Sequence, residues 1–204
     1  CKTRFGLYFR LWEWSMIGVV CKREERHVVE EFFELFKTPW EHHRAGRRYD
    51  VVVCTTDATG DIDAGLLIVY GSDHRRLDHA HGLSIQMRRT GQCMSCDGRE
   101  VPVYGPLAHF AGTVVQGNPS VVRIDTPEPF RRLIRVGYDL FDEVLYLLSA
   151  GQPPENAHIP ALELHIDLLR RWIVGAGLSL VEVPPIPAGH DLVACLTHDI
   201  DFLR

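Results

Sequence analysis

Residues 50–70, DVVVCTTDATGDIDAGLLIVY, contain two short apolar runs separated by a turn. The first run is rich in valine and the second combines leucine, isoleucine and valine, which is the composition of buried β-strands. The segment between them holds Asp, Thr and Gly residues, which favour turns. Similar runs follow at residues 83–87, 101–104 and 121–124. The sequence therefore predicts a sheet of short strands.

Helical patterns flank these strands. Residues 1–26 are rich in aromatic and apolar residues and predict one or two buried strands, and residues 28–36 then repeat apolar side chains at helical spacing. Residues 130–148 and 160–176 each carry an apolar stripe, which predicts two helices. Because residues 152–156 form a short linker with two prolines, we expect the two helices to be antiparallel neighbours. The predicted fold class is mixed α/β.

The same patterns divide the chain into four parts. Residues 1–128 are predicted to form an N-terminal α/β domain, and residues 129–182 a helical hairpin region that packs on it. Residues 183–190, VPPIPAGH, read as a proline-rich linker. Residues 191–204 contain a last apolar run, at 192–196, which predicts one more strand.

Composition excludes several classes of protein. The chain has 204 residues, 46% of them hydrophobic and 24% charged, as in folded globular proteins. Its formal charge of −5 gives no electrostatic argument for a nucleic-acid partner, and no apolar stretch approaches the roughly 20 residues that span a bilayer. The six cysteines are scattered, which favours reduced thiols and a cytoplasmic location. The chain starts with Cys1 rather than Met and stops soon after a charged motif, so we expect a fragment of a longer protein.

The strongest candidate site is at residues 197–201, Thr-His-Asp-Ile-Asp, directly after the run at 192–196. Two carboxylates at positions i and i+2 point the same way if the strand continues, so Asp199 and Asp201 can share a divalent cation or divide metal binding and proton transfer. The tripeptide Asp61-Ile62-Asp63 repeats the pattern before a strand, where a solvated turn is the better interpretation.

This motif, together with the preceding Pro184-Pro185-Ile186-Pro187-Ala188-Gly189, resembles polysaccharide deacetylases of the NodB-homology type, carbohydrate esterase family 4. The resemblance covers residues 160–203 and is to a subgroup whose first motif reads Thr-His-Asp-x-Asp after an N-terminal accessory domain. It implies metal-dependent hydrolysis of acetyl groups from an acetylated polysaccharide or glycan, on a distorted (β/α) barrel of which residues 191–204 would be the first strand.

The resemblance also implies roles for individual residues. Asp199 would be the catalytic base and Asp201 a ligand of a divalent metal, usually zinc. His198 is expected to support the carboxylates or to pack, because neighbours in a strand point to opposite faces, and Thr197 is a second candidate for a supporting role. The family's second motif, His-x-x-x-His, does not follow Asp201 within this chain. We therefore expect an incomplete metal site and no activity from this chain alone.

Two other functions remain open. In a nucleotide-sugar glycosyltransferase, an Asp-x-Asp after an apolar strand holds a cation that neutralises a diphosphate. A non-catalytic carbohydrate-binding or structural module would instead rely on exposed aromatic residues, for which the candidates are Trp12, Trp14 and Trp40.

Two weaker metal candidates lie in the middle of the chain. Cys93 and Cys96 have the spacing of half a zinc site, but no second pair follows at suitable spacing, so a reduced loop is the better interpretation. Residues 73–81 contain three histidines among mixed charges, which is typical of a solvated loop.

Overall fold

The computed structural model describes residues 16–58, 60–113, 117–126, 130–184 and 186–196, with only the backbone at residues 130 and 131. This part of the chain is a mixed α/β structure with eight strands and four α-helices. In chain order these are β1 (Ile17–Val20), α1 (Arg26–Phe36), β2 (Trp40–His42), β3 (Arg48–Cys54), β4 (Asp63–Tyr70), α2 (Arg76–Ala80), β5 (Ser84–Cys96), β6 (Arg99–Ala111), β7 (Val121–Asp125), β8 (Phe130–Val136), α3 (Leu140–Ser149) and α4 (Ala161–Gly175).

Six strands form one open sheet in the order β2-β1-β3-β4-β8-β7. The first five are parallel, and β7 pairs antiparallel with β8 at the edge. A parallel sheet is covered on both faces, which explains why β3 and β4 read as continuous apolar runs rather than alternating ones. β2 lies on one side of β1 in the sheet and β3 lies on the other side. The strand order therefore reverses its direction between β1 and β3.

Helices α1, α3 and α4 cover one face of the sheet. The main core cluster joins alternate residues of β1, β3, β4 and β8 to apolar side chains of α1, α3 and α4. The phenylalanines of α1 are almost fully buried there, as the helical pattern at 28–36 predicts. Val52, Leu67, Val69 and Leu133 belong to a second cluster, together with Leu77 of α2. The two clusters correspond to the two faces of the sheet because successive strand residues point to opposite sides.

Strands β5 and β6 form a separate antiparallel hairpin that packs on the helical side. Asp97 and Gly98 make its turn with positive φ values of 50° and 75°, as an Asp-Gly two-residue hairpin turn requires. The expectation of a loop around Cys93 and Cys96 is wrong, because both belong to β5. Cys93 is exposed and Cys96 is buried, so the two thiols do not form one side of a metal site.

The hairpin lies close to the carboxyl end of β8. The backbone N–H of Ala108 donates to the carbonyl of Gly137 at 2.7 Å. A Cβ atom placed on Gly137 would lie 2.2 Å from the carbonyl oxygen of Ala108, so only glycine permits this approach. Gly137 therefore fixes the hairpin against the edge of the main sheet.

The predicted helices are confirmed, but the helix predicted at residues 130–148 starts only at Leu140. Residues 130–136, FRRLIRV, form β8 instead of the beginning of a helix, and β8 lies between β4 and β7. Leu133, Ile134 and Val136 fit either a strand or a helical stripe. Arg135 is charged and yet fully buried, so the hydrophobic pattern of the sequence does not reveal this strand. The sheet therefore crosses the predicted boundary between residues 128 and 129.

The segment after α4 is fastened to two helices. Thr38 Oγ1 donates to the carbonyl of Val181 at 2.7 Å, and the backbone N–H of Val183 donates to the carbonyl of Lys37 at 2.9 Å. The guanidinium of Arg170 holds the carboxylate of Glu182 through two hydrogen bonds of 2.8 and 2.6 Å. We call residues 178–183 the C-terminal strap.

The strand expected at 192–196 is not present in the structure. These residues have no regular secondary structure, and Leu192, Val193 and Leu196 are exposed. A strand requires a hydrogen-bonded neighbour, and none of the described strands pairs with residues 192–196. Within the described ranges, no helix has the length and apolarity needed to cross a bilayer.

Candidate functional site

Polar side chains gather where the parallel strands end. Lys22 and Glu25 follow β1, Thr55 follows β3, Asp73 follows β4, and Asp139 follows β8. In open parallel sheets, ligands bind in the crevice outside the carboxyl ends of the strands. This edge of the sheet is therefore a candidate functional site.

Lys22 is the centre of this polar group. Its ammonium nitrogen lies 2.5 Å from Oε1 of Glu25, 2.9 Å from Oδ2 of Asp139 and 3.7 Å from Oδ2 of Asp142. The contact with Glu25 Oε1 is an ion pair without hydrogen-bond geometry, whereas Asp139 accepts a true hydrogen bond. One ammonium group thus balances three neighbouring carboxylates.

The chain positions these carboxylates by local hydrogen bonds. Oε2 of Glu25, whose side chain is only 4% exposed, accepts from the backbone N–H of Lys22 at 3.0 Å and from Oγ1 of Thr55 at 2.6 Å. Oδ1 of Asp139 accepts from the N–H groups of Phe141 and Asp142 at 3.1 and 3.4 Å, so Asp139 is the N-cap of α3.

Burial changes the pKa values of this group. Loss of water raises the pKa of Asp139, and the hydrogen bond from Lys22 only partly opposes that change. Burial acts against the charge of Lys22 as well, but the close contacts with the carboxylates of Glu25 and Asp139 outweigh it, so the pKa of Lys22 is raised. Burial, reinforced by the charge of Glu25, raises the pKa of the Cys21 thiol to about 11. Cys21 is therefore a protonated thiol at neutral pH and a poor nucleophile.

Glu25, Asp139 and Asp142 can hold a metal ion by geometry. One oxygen from each lies within 4.8 Å of the other two. Three carboxylates suit Mg²⁺, Ca²⁺ or Mn²⁺ better than zinc, which prefers nitrogen and sulfur ligands. However, the Lys22 ammonium already lies among these oxygens. A metal ion at this position has to displace it, so Lys22 takes the role of the cation here.

A cleft of about 500 Å³ adjoins the acidic group. Its walls are the loop after β4, the end of β8, the first two turns of α3, and the middle of the β5–β6 hairpin. We call it the edge cleft, and its lining comprises Ser72, Asp73, Arg88, Thr90, Tyr104, Gly105, Pro106, Tyr138, Asp139, Asp142, Glu143 and Tyr146.

Two tyrosines form an aromatic pair in the edge cleft. The rings of Tyr104 and Tyr146 have centroids 5.2 Å apart and planes inclined by 33°. The hydroxyl of Tyr104 accepts from Nδ2 of Asn156 at 3.1 Å, which holds its ring in place. The carboxylate of Glu143 accepts from the N–H groups of Tyr104 and Gly105 at 2.6 and 2.9 Å, and this joins the hairpin to α3.

A buried ion pair supports the loop that carries Asp73. Arg135 is fully buried and donates from Nε to Oδ1 of Asp78 at 2.8 Å. Its remaining N–H groups donate to the carbonyls of Gly71, Asp73 and Val136, each at 2.7 Å. The expectation of a solvated loop at 73–81 is therefore wrong in part, because Asp78 is fully buried as the partner of Arg135.

A second cavity, of about 540 Å³, lies between the beginning of β8 and the end of α4. Asp97 occupies one side of it and accepts from Arg123 at 2.6 Å and from Nε1 of Trp172 at 3.2 Å. Arg171 is bound to Asp167, and Arg132 lies near Asp125 and the carbonyl of Gly175. This cavity lies at the beginning of β8 rather than at the carboxyl ends of the parallel strands, which leaves the edge cleft as the better candidate.

The residues that sequence reasoning selected are mostly elsewhere. Thr197, His198, Asp199 and Asp201 lie outside the described residues, as do Trp12 and Trp14. The ring of Trp40 stacks on Phe33 with centroids 4.9 Å apart, so one of its faces is unavailable to a sugar. Asp61 is exposed before β4, as expected for a turn.

The sequence reasoning missed the residues that line the edge cleft and the acidic group. A signal for Lys22 and Glu25 was available, because they follow the apolar run of β1 in the same way that residues 197–201 follow the run at 192–196. Asp139 precedes a helical pattern and is a typical N-cap residue. Tyr104 and Tyr146 carry no comparable signal, since their pairing depends on the fold.

Comparisons with known proteins give similarity in fold only. No family model matches the chain, and no curated protein matches it in sequence. Among solved structures, a catalytic mutant of Gan42B, a GH42 β-galactosidase from G. stearothermophilus, is similar with a TM-score of 0.51 and 10% identity over 81% of this chain. A second structure of Gan42B gives a TM-score of 0.50 and 10% identity over 79% of this chain. This chain spans 30% of the length of that protein in both cases. At this identity the likeness concerns the mixed α/β fold alone.

Proposed function

We propose that residues 16–182 are the accessory domain of a metal-dependent polysaccharide deacetylase, whose catalytic domain starts with the motif at 197–201. The proposal is supported by the position in the chain at which the regular secondary structure and its fastening contacts end. The C-terminal strap fastens the chain as far as Val183, and residues 186–196 then lie outside the sheet and helices. This supports the proposal that a linker separates the accessory domain from the motif, as the resemblance implies.

Each motif residue has a proposed role in acetyl hydrolysis. Asp199 accepts a proton from the attacking water, and Asp201 supplies one ligand to a divalent metal, which we propose to be zinc. When bound, the metal polarises the acetyl carbonyl and lowers the pKa of water. His198 and Thr197 orient the two carboxylates. The oxygen-rich group around Lys22 does not suit zinc, so the remaining ligands are proposed to come from the catalytic domain.

The coding sequence downstream of Arg204 provides the first test. The proposal expects a His-x-x-x-His motif within roughly the next hundred residues, which is a fraction of a (β/α) barrel. Two histidines four positions apart lie on one face of a helix and supply the missing metal ligands. A reading frame without such a motif contradicts the proposal.

Acetate release by the complete protein provides the second test. With an N-acetylated glycan as substrate, Asp199→Asn is expected to lower kcat by at least about 100-fold, as loss of a general base does. Asp61→Asn is the matched control, because it changes the same tripeptide in an exposed turn and is expected to leave kcat unchanged. Equal activity of the two variants contradicts the assignment of Asp199 as the base.

The edge cleft argues against the glycosyltransferase alternative. A nucleotide sugar carries a diphosphate, which needs cations or free N–H donors around it. The cleft contains one guanidinium, Arg88, which is paired with Asp73, and four carboxylates. The ammonium of Lys22 already lies beside two of these carboxylates, those of Asp139 and Asp142, so a cation for the diphosphate has to displace it. Hydrolysis of a nucleotide sugar by the complete protein, with no acetate release from glycans, would support that alternative instead.

A further inference from the structure

The accessory domain has a cleft that the proposed catalytic residues do not use. The edge cleft lies at the carboxyl end of the parallel strands, where open α/β sheets bind ligands. Its volume of about 500 Å³ lies within the range typical of small-molecule sites. We propose that the edge cleft binds an amine-bearing sugar, namely a deacetylated unit of the glycan.

The charge of the lining selects for a cationic ligand. Asp73 is paired with Arg88, and Asp139 is paired with Lys22. Asp142 is 65% exposed and its carboxylate lies 3.7 Å from Lys22, which makes it the least neutralised acid of the group. Glu143 is buried and holds backbone N–H groups without a cation. The cleft therefore attracts an ammonium group and repels phosphate, sulfate or uronate groups.

The aromatic pair selects for a sugar ring. Tyr104 on the hairpin and Tyr146 on α3 both line the cleft and are partly exposed, so each presents an aromatic surface to it. The apolar face of a sugar ring packs against such a surface, while its hydroxyl groups remain free for polar partners. An ammonium group held over an aromatic face gains cation–π attraction in addition. Thr90 and Ser72 supply hydroxyl groups to the same cleft.

The rings and the acids are held in fixed positions. The hydroxyl of Tyr104 is bound by Asn156, and its backbone N–H by Glu143. Arg135 fixes the carbonyl of Asp73 at 2.7 Å, and Asp139 caps the helix that carries Asp142 and Tyr146. A preorganised site loses less conformational entropy on binding than a flexible one. These contacts form the walls of the cleft before a ligand arrives.

The choice of a glycan as ligand rests on the proposed function, because deacetylation of an N-acetylated sugar leaves a free amine. Binding of that amine by the accessory domain would keep the enzyme on a glycan that it has begun to modify. Two linked binding sites raise the effective concentration of substrate at the catalytic domain.

Binding by the 1–204 chain tests the inference without catalysis. The probes are tetramers of β-1,4-linked glucosamine, of N-acetylglucosamine and of galacturonic acid, studied by calorimetry at about pH 6. We expect the glucosamine tetramer to bind at least about tenfold more tightly than the N-acetylated one, with an affinity that falls as salt rises. We expect no binding of the galacturonate tetramer. Equal affinity for the first two tetramers, or no binding of the glucosamine tetramer, overturns the inference.

Two pairs of variants locate the binding in the edge cleft. Tyr146→Ala is expected to weaken binding of the glucosamine tetramer by at least about tenfold, whereas Leu148→Ala, an exposed change on the same helix, is not. Asp142→Asn is expected to weaken binding of the glucosamine tetramer and to reduce the salt dependence of that binding. Asp61→Asn is expected to change neither. Thermal unfolding verifies that each variant is folded. If a cleft variant does not fold, Thr90→Val in the cleft replaces it, with Thr56→Val outside the cleft as the control. Unchanged affinity in a folded cleft variant contradicts the inference.

The two proposals fail in different ways. If the complete protein releases acetate in an Asp199-dependent manner but the 1–204 chain binds no glucosamine tetramer, only the cleft assignment is wrong. If the tetramer binds in the edge cleft but the complete protein releases no acetate, the deacetylase proposal is wrong and the domain is a sugar-binding module.

Discussion

The ammonium nitrogen of Lys22 and Oδ2 of Asp139 are 2.9 Å apart, although 117 positions separate the two residues in the chain. Lys22 follows β1 and Asp139 follows β8, and two strands, β3 and β4, lie between these in the sheet. The long lysine side chain therefore bridges the carboxyl edge of the sheet. Packing of α1 against α3 on the same face brings the two loops together.

Lys22→Met is expected to lower the free energy of unfolding by about 2 kcal/mol, because it leaves the buried Glu25 and Asp139 without their cation. It also vacates the space between three carboxylates. Millimolar Ca²⁺ is therefore expected to raise the Tm of Lys22→Met and to leave that of the wild type unchanged. Arg23→Met, an exposed neighbour, is the control and should show neither effect. Stabilisation of the wild type by Ca²⁺ would mean that the metal displaces Lys22.

Arg135→Met is expected to destabilise the protein by about 3–5 kcal/mol, since it removes the buried cation that pairs with the carboxylate of Asp78 and leaves that carboxylate only the backbone N–H of Arg75 as a donor. Urea unfolding provides the measurement. Arg132→Met, on the same strand but exposed, is expected to change stability by about 0.5 kcal/mol or less. The double change of Arg135→Met with Asp78→Leu should cost less than the sum of the single changes, because no unpaired charge remains. Additive costs would show that the two residues do not act as a pair.

Stability is expected to fall as the pH drops from about 6.5 towards 4, and His165 is one cause. Burial lowers the pKa of His165 from 6.5 to about 4, so the unfolded chain binds a proton that the folded chain refuses. The contribution is on the order of 3 kcal/mol over this interval.

His165→Asn removes this contribution and retains a hydrogen-bonding group near the hydroxyl of Tyr138, which lies 2.8 Å from His165 Nδ1. Buried Asp139 and Glu143 have raised pKa values and act in the opposite direction, so the informative quantity is the difference in pH dependence between variant and wild type. His158→Asn, at an exposed position, is the control. Parallel pH curves for wild type and His165→Asn would refute the assignment.

Gly137→Ala is expected to destabilise the protein by about 2–4 kcal/mol, because its new methyl group would lie 2.2 Å from the carbonyl oxygen of Ala108. Relief of this clash moves the hairpin from the sheet and widens the edge cleft. Gly175 lies at the end of α4, where an added Cβ atom would have no atom from outside its own helix backbone within 4 Å. Gly175→Ala is therefore expected to raise the free energy of unfolding by up to about 1 kcal/mol. Chemical denaturation of the two variants measures both effects, and similar stabilities would show that the approach at Gly137 is not tight.

The sequence allowed the strands at 50–55 and 65–70 to be predicted, because a parallel strand is apolar on both faces and stands out. β8 was concealed because Arg135 is a charged residue in a core position, which a pattern of hydrophobicity reads as polar. Both hairpin strands are longer than predicted, and in β6 the pattern is interrupted by Pro102, Gly105 and Pro106. Alternation alone does not reveal that a 13-residue strand continues through such residues.

The candidate site was less predictable than the fold. Asp139 and Lys22 each stand after an apolar run, but their contact depends on strand order, which local sequence does not encode. The Tyr104–Tyr146 pair depends in addition on how the hairpin lies against α3. Chemistry-bearing residues close together in sequence, such as 197–201, attract attention, whereas a site assembled from four loops has no local signature.

The C-terminal strap has a mechanical consequence. Force applied to the chain beyond Val183 is expected to load the bidentate Arg170–Glu182 contact and the hydrogen bonds with Lys37 and Thr38 together. These contacts join the end of α1 to α4, so the load is distributed over two helices. A pull on the chain beyond Val183 is therefore expected to be resisted by both helices together.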